Sequence, residues 1–394
     1  MISDLKSVCS HEDVGDRKAL AASAPIRAFA YDSSAEALQD MFLTVAAEPL
    51  SALFLFISPA QDFDDVVEQA SQYAPESCIT ACTTAGEISD RGYGDDGVVA
   101  IGFPAALFDV SPILLADIHN IDRHALISRV IRDRATIKAR NPSFLHEFGF
   151  LLADGLSLGE EKLMSALAPA LGSLPFLGGS AGDSRRFEHT RLWFNGQRLE
   201  GGVAIFLVRS RCRCQVFRLD NFAPSNTRMV VTDADAEQRL VRRINDEPAA
   251  QEYARILGKH PQNLCLDTFA AHPVAIRIGS SHHIRAIQQV TDEGHLVFAC
   301  AIDEGMVLNL AEGEPIVAHL ERHLAALNQP EPPALIMGFE CLFRRLASVQ
   351  SQCQHAVSKV FKDQNLIGFS TYGEQYNTLH VNQTLVGVAF YPAA

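Results

Sequence analysis

The sequence predicts an α/β protein with mixed sheets and flanking helices, arranged as two consecutive α/β domains. Three observations lead there. Short apolar runs of strand length alternate with helically spaced stretches in the first part of the chain. Strands then follow one another without helices, which favours mixed sheets over a purely doubly wound fold. A break at residues 221–226, around Pro224, separates the two series. The chain thus divides into an N-terminal tail (1–25), a first domain (26–222) and a second domain (223–394).

Residues 25–31 (PIRAFAY) and 51–58 (SALFLFIS) are strand-length apolar runs. Between them, 35–47 places Leu38, Met41, Phe42 and Val45 on one helical face. A helix over 62–73 leads to a strand over 78–82 and the loop 83–86. Strands over 97–103 and 108–116 precede a long helix over 123–140, which Asn141-Pro142 ends. Strands at 148–153 and 175–177 flank a helix at 160–170. Strands at 192–195 and 202–209 follow, with Asn195-Gly196 supplying the φ > 0 positions of a tight hairpin.

Beyond the break, 234–257 reads as helical, interrupted at Pro248. A meander is expected over 275–278, 284–290 and 296–302. Helices at 316–327 and 348–362 alternate with strands at 334–339, 365–369 and 384–391. No internal repeat or low-complexity tract is apparent.

With 394 residues, 47% hydrophobic and 20% charged, the composition is that of a folded globular chain. A net charge of −14 with scattered basic residues argues against nucleic acid, whose binders need a basic stripe. No apolar run approaches the ~20 residues that span a bilayer. The first residues lack the apolar core of a signal peptide, so no membrane association and a cytoplasmic location are expected. The nine cysteines are scattered and suit buried thiols better than a disulfide framework or a zinc site.

Gly178-Gly179-Ser180-Ala181-Gly182 matches the G-x-S-x-G elbow, in which a strand-to-helix turn exposes a nucleophilic serine. The charged stretch after it does not read as a helix, so a serine hydrolase using Ser180 ranks third among the functions and the chain is expected not to be an enzyme. The alternative is a ligand loop or a plain architectural turn. Thr83-Thr84-Ala85-Gly86-Glu87 is similar: small residues after a strand, ending in a carboxylate. Two such loops at strand ends are where ligands bind in α/β sheets. Thr83, Thr84, Gly86, Gly179, Ser180 and Asp183 are therefore candidate ligand-binding residues. The densest polar stretch, 370–384, adds Tyr372, Glu374, Gln375 and Asn382, against the alternative of a well-capped hairpin. Ser281–Arg285 is a candidate pocket wall or a surface edge. His319 and His323 share a helix face that reads as solvated.

These segments resemble the FIST family in order and content. The matching pieces are CTTAGEI (82–88), LLADGLSLGEE (151–161), PFLGGSAGD (175–183), AIDEGMVL (301–308), MGFECLFRR (337–345), IGFSTYGEQY (367–376) and HVNQT (380–384). The resemblance implies FIST N-terminal-like and C-terminal-like domains and a sensory, ligand-binding role. It is similar to the stand-alone members that bind haem b and sense nitric oxide, acting on a histidine kinase or on a diguanylate cyclase or phosphodiesterase. A haem-free module for a small metabolite such as an amino acid is the alternative. Many stand-alone members carry a histidine before the phenylalanine that Phe222 matches; here Asn221 stands in its place. For an iron ligand, His380 comes first, beside the polar stretch with Glu374 and Asn382 near, and His189 second, after the Gly-rich loop.

Overall fold

The computed structural model describes residues 23–393 apart from Ser33, so the tail expected over 1–25 lies almost wholly outside the described residues. Within them one pattern occurs three times: an edge strand, a helix, a strand, a helical segment, a parallel strand, a sharp turn, a short hairpin and a returning strand. The first unit runs through Ile26–Ala30, helix Ala35–Val45, Leu50–Ile57, helix Phe63–Tyr73, Cys78–Thr83, the hairpin Glu87–Ser89/Gly92–Gly94 and Val98–Pro104. The second runs through Phe108–Leu115, helix Arg123–Arg140, His146–Ala153, helix Glu160–Leu171, Phe176–Ser180, the hairpin Leu192–Phe194/Gln197–Arg198 and Val203–Ser210. The third begins at Cys214–Asp220 and resumes at helix Ile316–Ala326. It continues through Leu335–Cys341, helices Leu342–Gln350 and Gln354–Asp363, Leu366–Thr371, the hairpin Glu374–Tyr376/Leu379–Val381 and Thr384–Phe390.

Local chemistry explains the elements. Ser34, Asp62 and Asp122 cap the first three of these helices by accepting from backbone N–H groups of the first turn. The middle strands are near-continuous apolar runs because helices cover one face and a shared core the other. In each unit the strands before and after the second helical segment pair in parallel, which the crossover through that segment makes possible.

The units are tied by their hairpins, each of which leaves its own sheet. The hairpin 87–94 pairs with Leu366–Thr371 of the third unit, through Gly368↔Ile88 and Phe369↔Glu87. The hairpin 192–198 pairs with Cys78–Thr83 of the first, and the hairpin 374–381 with Phe176–Ser180 of the second. The exchange is cyclic, and the three sheets enclose one phenylalanine-rich core. Phe56 stacks on Phe369 with ring centroids 4.5 Å apart, Phe150 on Phe206 at 4.8 Å, and Phe108 meets Phe390 edge-on.

Between Cys214–Asp220 and Ile316–Ala326 the third unit carries a separate sheet. Its central strand is Phe222–Asp235, flanked by Leu240–Ile244 and Val307–Gly313, and Glu247–Pro248, Val274–Ile278, Ser281–Arg285, Ile287–Val290 and Leu296–Phe298 complete it. The break expected at 221–226 is the start of that central strand. The expected helix over 234–257 is corrected: only Ala249–Ile256 is helical. What precedes it is two hairpins: Phe222–Asp235 pairs with Leu240–Ile244 through a turn where Arg239 adopts φ 53°, and the left-handed Asn245 and Asp246 (φ 52° and 63°) fold Ile244 back onto Glu247. The helix expected over 348–362 is two helices, broken where Gln352 adopts φ 53°. No described helix is long and apolar enough to cross a membrane.

Candidate functional site

Each unit's third strand ends in the same four-residue pattern: hydroxyl, any residue, glycine, acid. These are Thr84-Ala85-Gly86-Glu87, Ser180-Ala181-Gly182-Asp183 and Thr371-Tyr372-Gly373-Glu374. The three turns meet at the centre and bond to one another in a closed ring. Ala85 N donates to Ser370 O (2.8 Å) and Ser370 N to Gly86 O (2.7 Å); Gly182 N donates to Thr83 O (3.0 Å); Ser180 N donates to Gly373 O (2.9 Å). Glycine leaves the space that neighbouring side chains occupy against these turns. A methyl on Gly86, at φ 122°, would lie 1.5 Å from the Arg345 guanidinium, and one on Gly373 would lie 2.4 Å from His380 Cε1.

The acids close the turns. Glu87 accepts from the Thr84 hydroxyl and from Gly97 N (3.2 Å). Glu374 accepts from the Thr371 hydroxyl and, at 2.7 Å, from the Thr384 hydroxyl. Burial outweighs these bonds, pushing Glu87 up to about 7 and Glu374 up to about 8. Asp183 instead holds its following loop, accepting from Phe187 N (2.8 Å), Glu188 N (2.9 Å), His189 N (2.7 Å) and the Tyr372 hydroxyl. Tyr372 stacks on Phe187 with ring centroids 4.3 Å apart.

From the ring of turns a polar chain leads outward. Gln375 Nε2 lies 3.2 Å from both Ser180 Oγ and His380 Nδ1, and the Ser180 hydroxyl faces Glu160 at 3.4 Å. Arg239, from the inserted sheet, spans Glu160 (2.8 Å) and Glu161 (2.6 Å), and Ala301 N donates to Glu161 at 2.6 Å. Burial raises the Glu161 pKa, yet the nearby His380 and Arg239 charges hold it below the usual carboxylate range. The chain ends at a cleft of about 450 Å³ lined by Glu161, Ser165, Arg285, Thr378, His380 and Arg123, among others. Three parts of the fold build it: the second unit's helix Glu160–Leu171, the third unit's hairpin and the inserted sheet.

All ten predicted ligand-binding residues thus gather at or beside the ring of turns. Thr83, Thr84, Gly86 and Asp183 serve its internal bonding. Ser180 and Gln375 connect it to the cleft, whose wall includes His380. Ser180 is fully buried and no helix follows it, so the strand-to-helix geometry of a nucleophile elbow is absent. Asn382 is also fully buried. Its carboxamide atoms have no partner among the described residues, and the residue lines a cavity of about 10 Å³, room for roughly one water.

The resemblance implied haem, and the two candidate histidines do not fit it in this arrangement. His189 gives only its backbone N–H to Asp183, and its side chain is exposed. His380 is buried, with Nδ1 held by Gln375 and Nε2 lacking a partner. However, Nε2 would lie 2.9 Å from a methyl on Gly373, so the turn at Gly373 stands where an iron would have to approach it. Asn221 is committed as well: its Oδ1 accepts from Arg344 and its Nδ2 donates to Glu314 O (3.1 Å). No group of three or more His, Cys, Asp or Glu side chains is placed to hold a metal among the described residues. His319, expected on a solvated face, is buried, and burial pulls its pKa down to about 4.

Sequence reasoning missed Glu160, Glu161 and Arg239. The two glutamates could have been noticed, since they open a helix with no side-chain cap. Arg239 carries no such signal, because its segment reads as helical in the sequence.

Two family models match the chain: the FIST N domain over residues 51–247 and the FIST C domain over residues 249–377. No curated relative matches it.

Proposed function

The chain belongs to the FIST family, whose domains are sensory modules of signal transduction, and from that premise we propose that it senses a small polar metabolite in the cleft beside His380. One observation carries this reading. The hairpin at 374–381 borders a cleft of about 450 Å³ that joins the central ring of turns through Gln375, Ser180 and Glu160, whereas the cavity beside the hairpin 87–94, about 170 Å³, is lined by the first unit alone. A ligand there touches all three parts of the fold at once, so its binding energy can bias their relative arrangement. The output passes to a partner protein, a histidine kinase or a cyclic-di-GMP enzyme.

Filling the cleft tests the reading. Ser165 is exposed on its helical wall, so Ser165→Trp blocks the space without disturbing the core. In a thermal-shift screen of neutral, cationic and anionic metabolites, at least one should stabilise the wild type and fail with the variant, because binding to the folded state alone raises stability. A screen with no stabilising compound, or with stabilisation unchanged by Ser165→Trp, would remove the cleft as the sensing site.

Haem-based nitric-oxide sensing is the second reading. The unpartnered Nε2 of buried His380 favours it, since the other ring nitrogen is already held, as an axial ligand's must be. It requires Gly373 to move away from that nitrogen. A Soret band on haem addition that His380→Ala abolishes would support it; an identical spectrum in wild type and variant would dismiss His380. Ester hydrolysis by Ser180 ranks third, and activity on a simple acyl ester that Ser180→Ala removes would raise it.

A further inference from the structure

Five arginines are buried among the described residues: Arg209, Arg239, Arg285, Arg344 and Arg345. A guanidinium out of water needs a counter-charge, because burying an isolated ion costs far more than burying a paired one. Four have one. Arg209 meets Glu147 at 3.6 Å, Arg239 meets Glu160 at 2.8 Å, Arg344 meets Glu340 at 3.2 Å and Arg345 meets Asp95 at 3.0 Å. Arg285 has no carboxylate within ion-pair distance among the described residues. Among the described residues its guanidinium makes one hydrogen bond, from Nη1 to Ile284 O (3.3 Å), and its Nε has no partner. Arg285 is also the one of the five that lines the 450 Å³ cleft.

The other charges of the cleft point the same way. Arg123 stands exposed at its rim with no ion pair among the described residues. The acid in the lining, Glu161, already accepts from Arg239 and from Ala301 N, and Glu160 behind it is shared between Arg239 and Ser180. The cleft therefore holds a cation in want of an anion and no carboxylate left over for an ammonium group.

We infer that the cleft takes a small organic anion, held through its carboxylate by Arg285 with Arg123 at the entrance. The inference rests on the sensing role proposed for this cleft and narrows its ligand class. An α-amino acid gains nothing from its ammonium here, so the corresponding hydroxy or oxo acid binds at least as well. Arginine suits a carboxylate because its planar fork presents parallel N–H donors.

Calorimetric titration of the intact protein tests this with acetate, lactate, succinate, alanine, inorganic phosphate and ethylammonium. At least one of the three carboxylates without an amine should bind saturably, with alanine no tighter than lactate. Arg285→Gln should weaken that binding at least tenfold, and Arg285→Lys should restore part of it. Should Arg285→Gln fail to fold, Arg123→Gln, an exposed change, should still weaken binding severalfold. Tighter binding of ethylammonium, binding of phosphate alone, no saturable binding by any carboxylate, or carboxylate binding indifferent to both arginine substitutions would each overturn the inference. A neutral or cationic metabolite whose binding Ser165→Trp abolishes would overturn the anion class while leaving the sensing role standing.

Discussion

The hairpins 87–94 and 374–381 occupy equivalent places in their units, yet the seam that the first makes with the third unit is sealed and the seam that the second makes with the second unit is open. At the first, Tyr93 packs edge-on against Phe361 and donates to Glu340 at 2.6 Å, and Tyr93 N donates to Ser358 Oγ at 3.2 Å. Gly92, at φ 90°, sits so close that a methyl there would lie 2.3 Å from Ser358 Cβ. At the second, Thr378 and His380 border a cleft, facing Ser165 and the unpaired Arg285. The same backbone device therefore serves two ends. Where aromatic and hydroxyl groups fill the space it locks the sheets together, and where polar groups lack partners it leaves room for a ligand.

The largest expected effect comes from removing the strap at the open junction. Arg239→Ala leaves Glu160 buried without its cation, and Glu161 loses the same partner. Breaking a buried pair in this way costs about 3–5 kcal/mol, readable in urea unfolding. A loss below about 1 kcal/mol would mean that the strap does not hold the inserted sheet to the second unit.

The sealed junction should be intolerant and the open one permissive. Gly92→Ala forces a side chain into an occupied space at positive φ, for about 1–3 kcal/mol. Thr378→Ala, at the cleft wall, should change stability by no more than about 0.5 kcal/mol. Equal losses would erase the distinction between the two junctions.

Acidity sharpens the comparison, because Glu87 and Glu374 close equivalent turns and burial raises both. A raised acid is protonated in the folded chain but ionised in the unfolded one between its ordinary pKa and its folded value. The unfolded state then binds fewer protons, so stability falls as pH rises. Thermal unfolding should thus be highest near pH 5 and decline through about 7 and about 8 as Glu87 and then Glu374 ionise. Glu374→Gln should flatten the upper part of that decline. A melting temperature that rises across the interval would contradict the assignment.

Much of this architecture was legible in the sequence, and the reasons for the rest are physical. Apolar runs such as 51–58 and capped helices such as Phe63–Tyr73 announce themselves locally, so the mixed α/β class follows from pattern alone. The threefold repeat does not, because only a hydroxyl, a glycine and an acid are common to TAGE, SAGD and TYGE. Each turn was nonetheless singled out for its chemistry, which is why the candidate residues converge. The misread stretch before Ala249–Ile256 is rich in helix-forming residues, and strand pairing with Phe222–Asp235 overrides that preference. The absence of a partner for Arg285 is a property of three-dimensional neighbours, so the sequence could offer Ser281–Arg285 only as a pocket wall or an edge.

Hydrogen exchange on the intact protein, with and without a saturating carboxylate, tests the central claim most directly. Amides of the hairpin 374–381 and of the start of Glu160–Leu171 should gain protection, while those of 87–94 stay unchanged. Protection that rises equally in both hairpins, or only in 87–94, would contradict the assignment of sensing to the open junction.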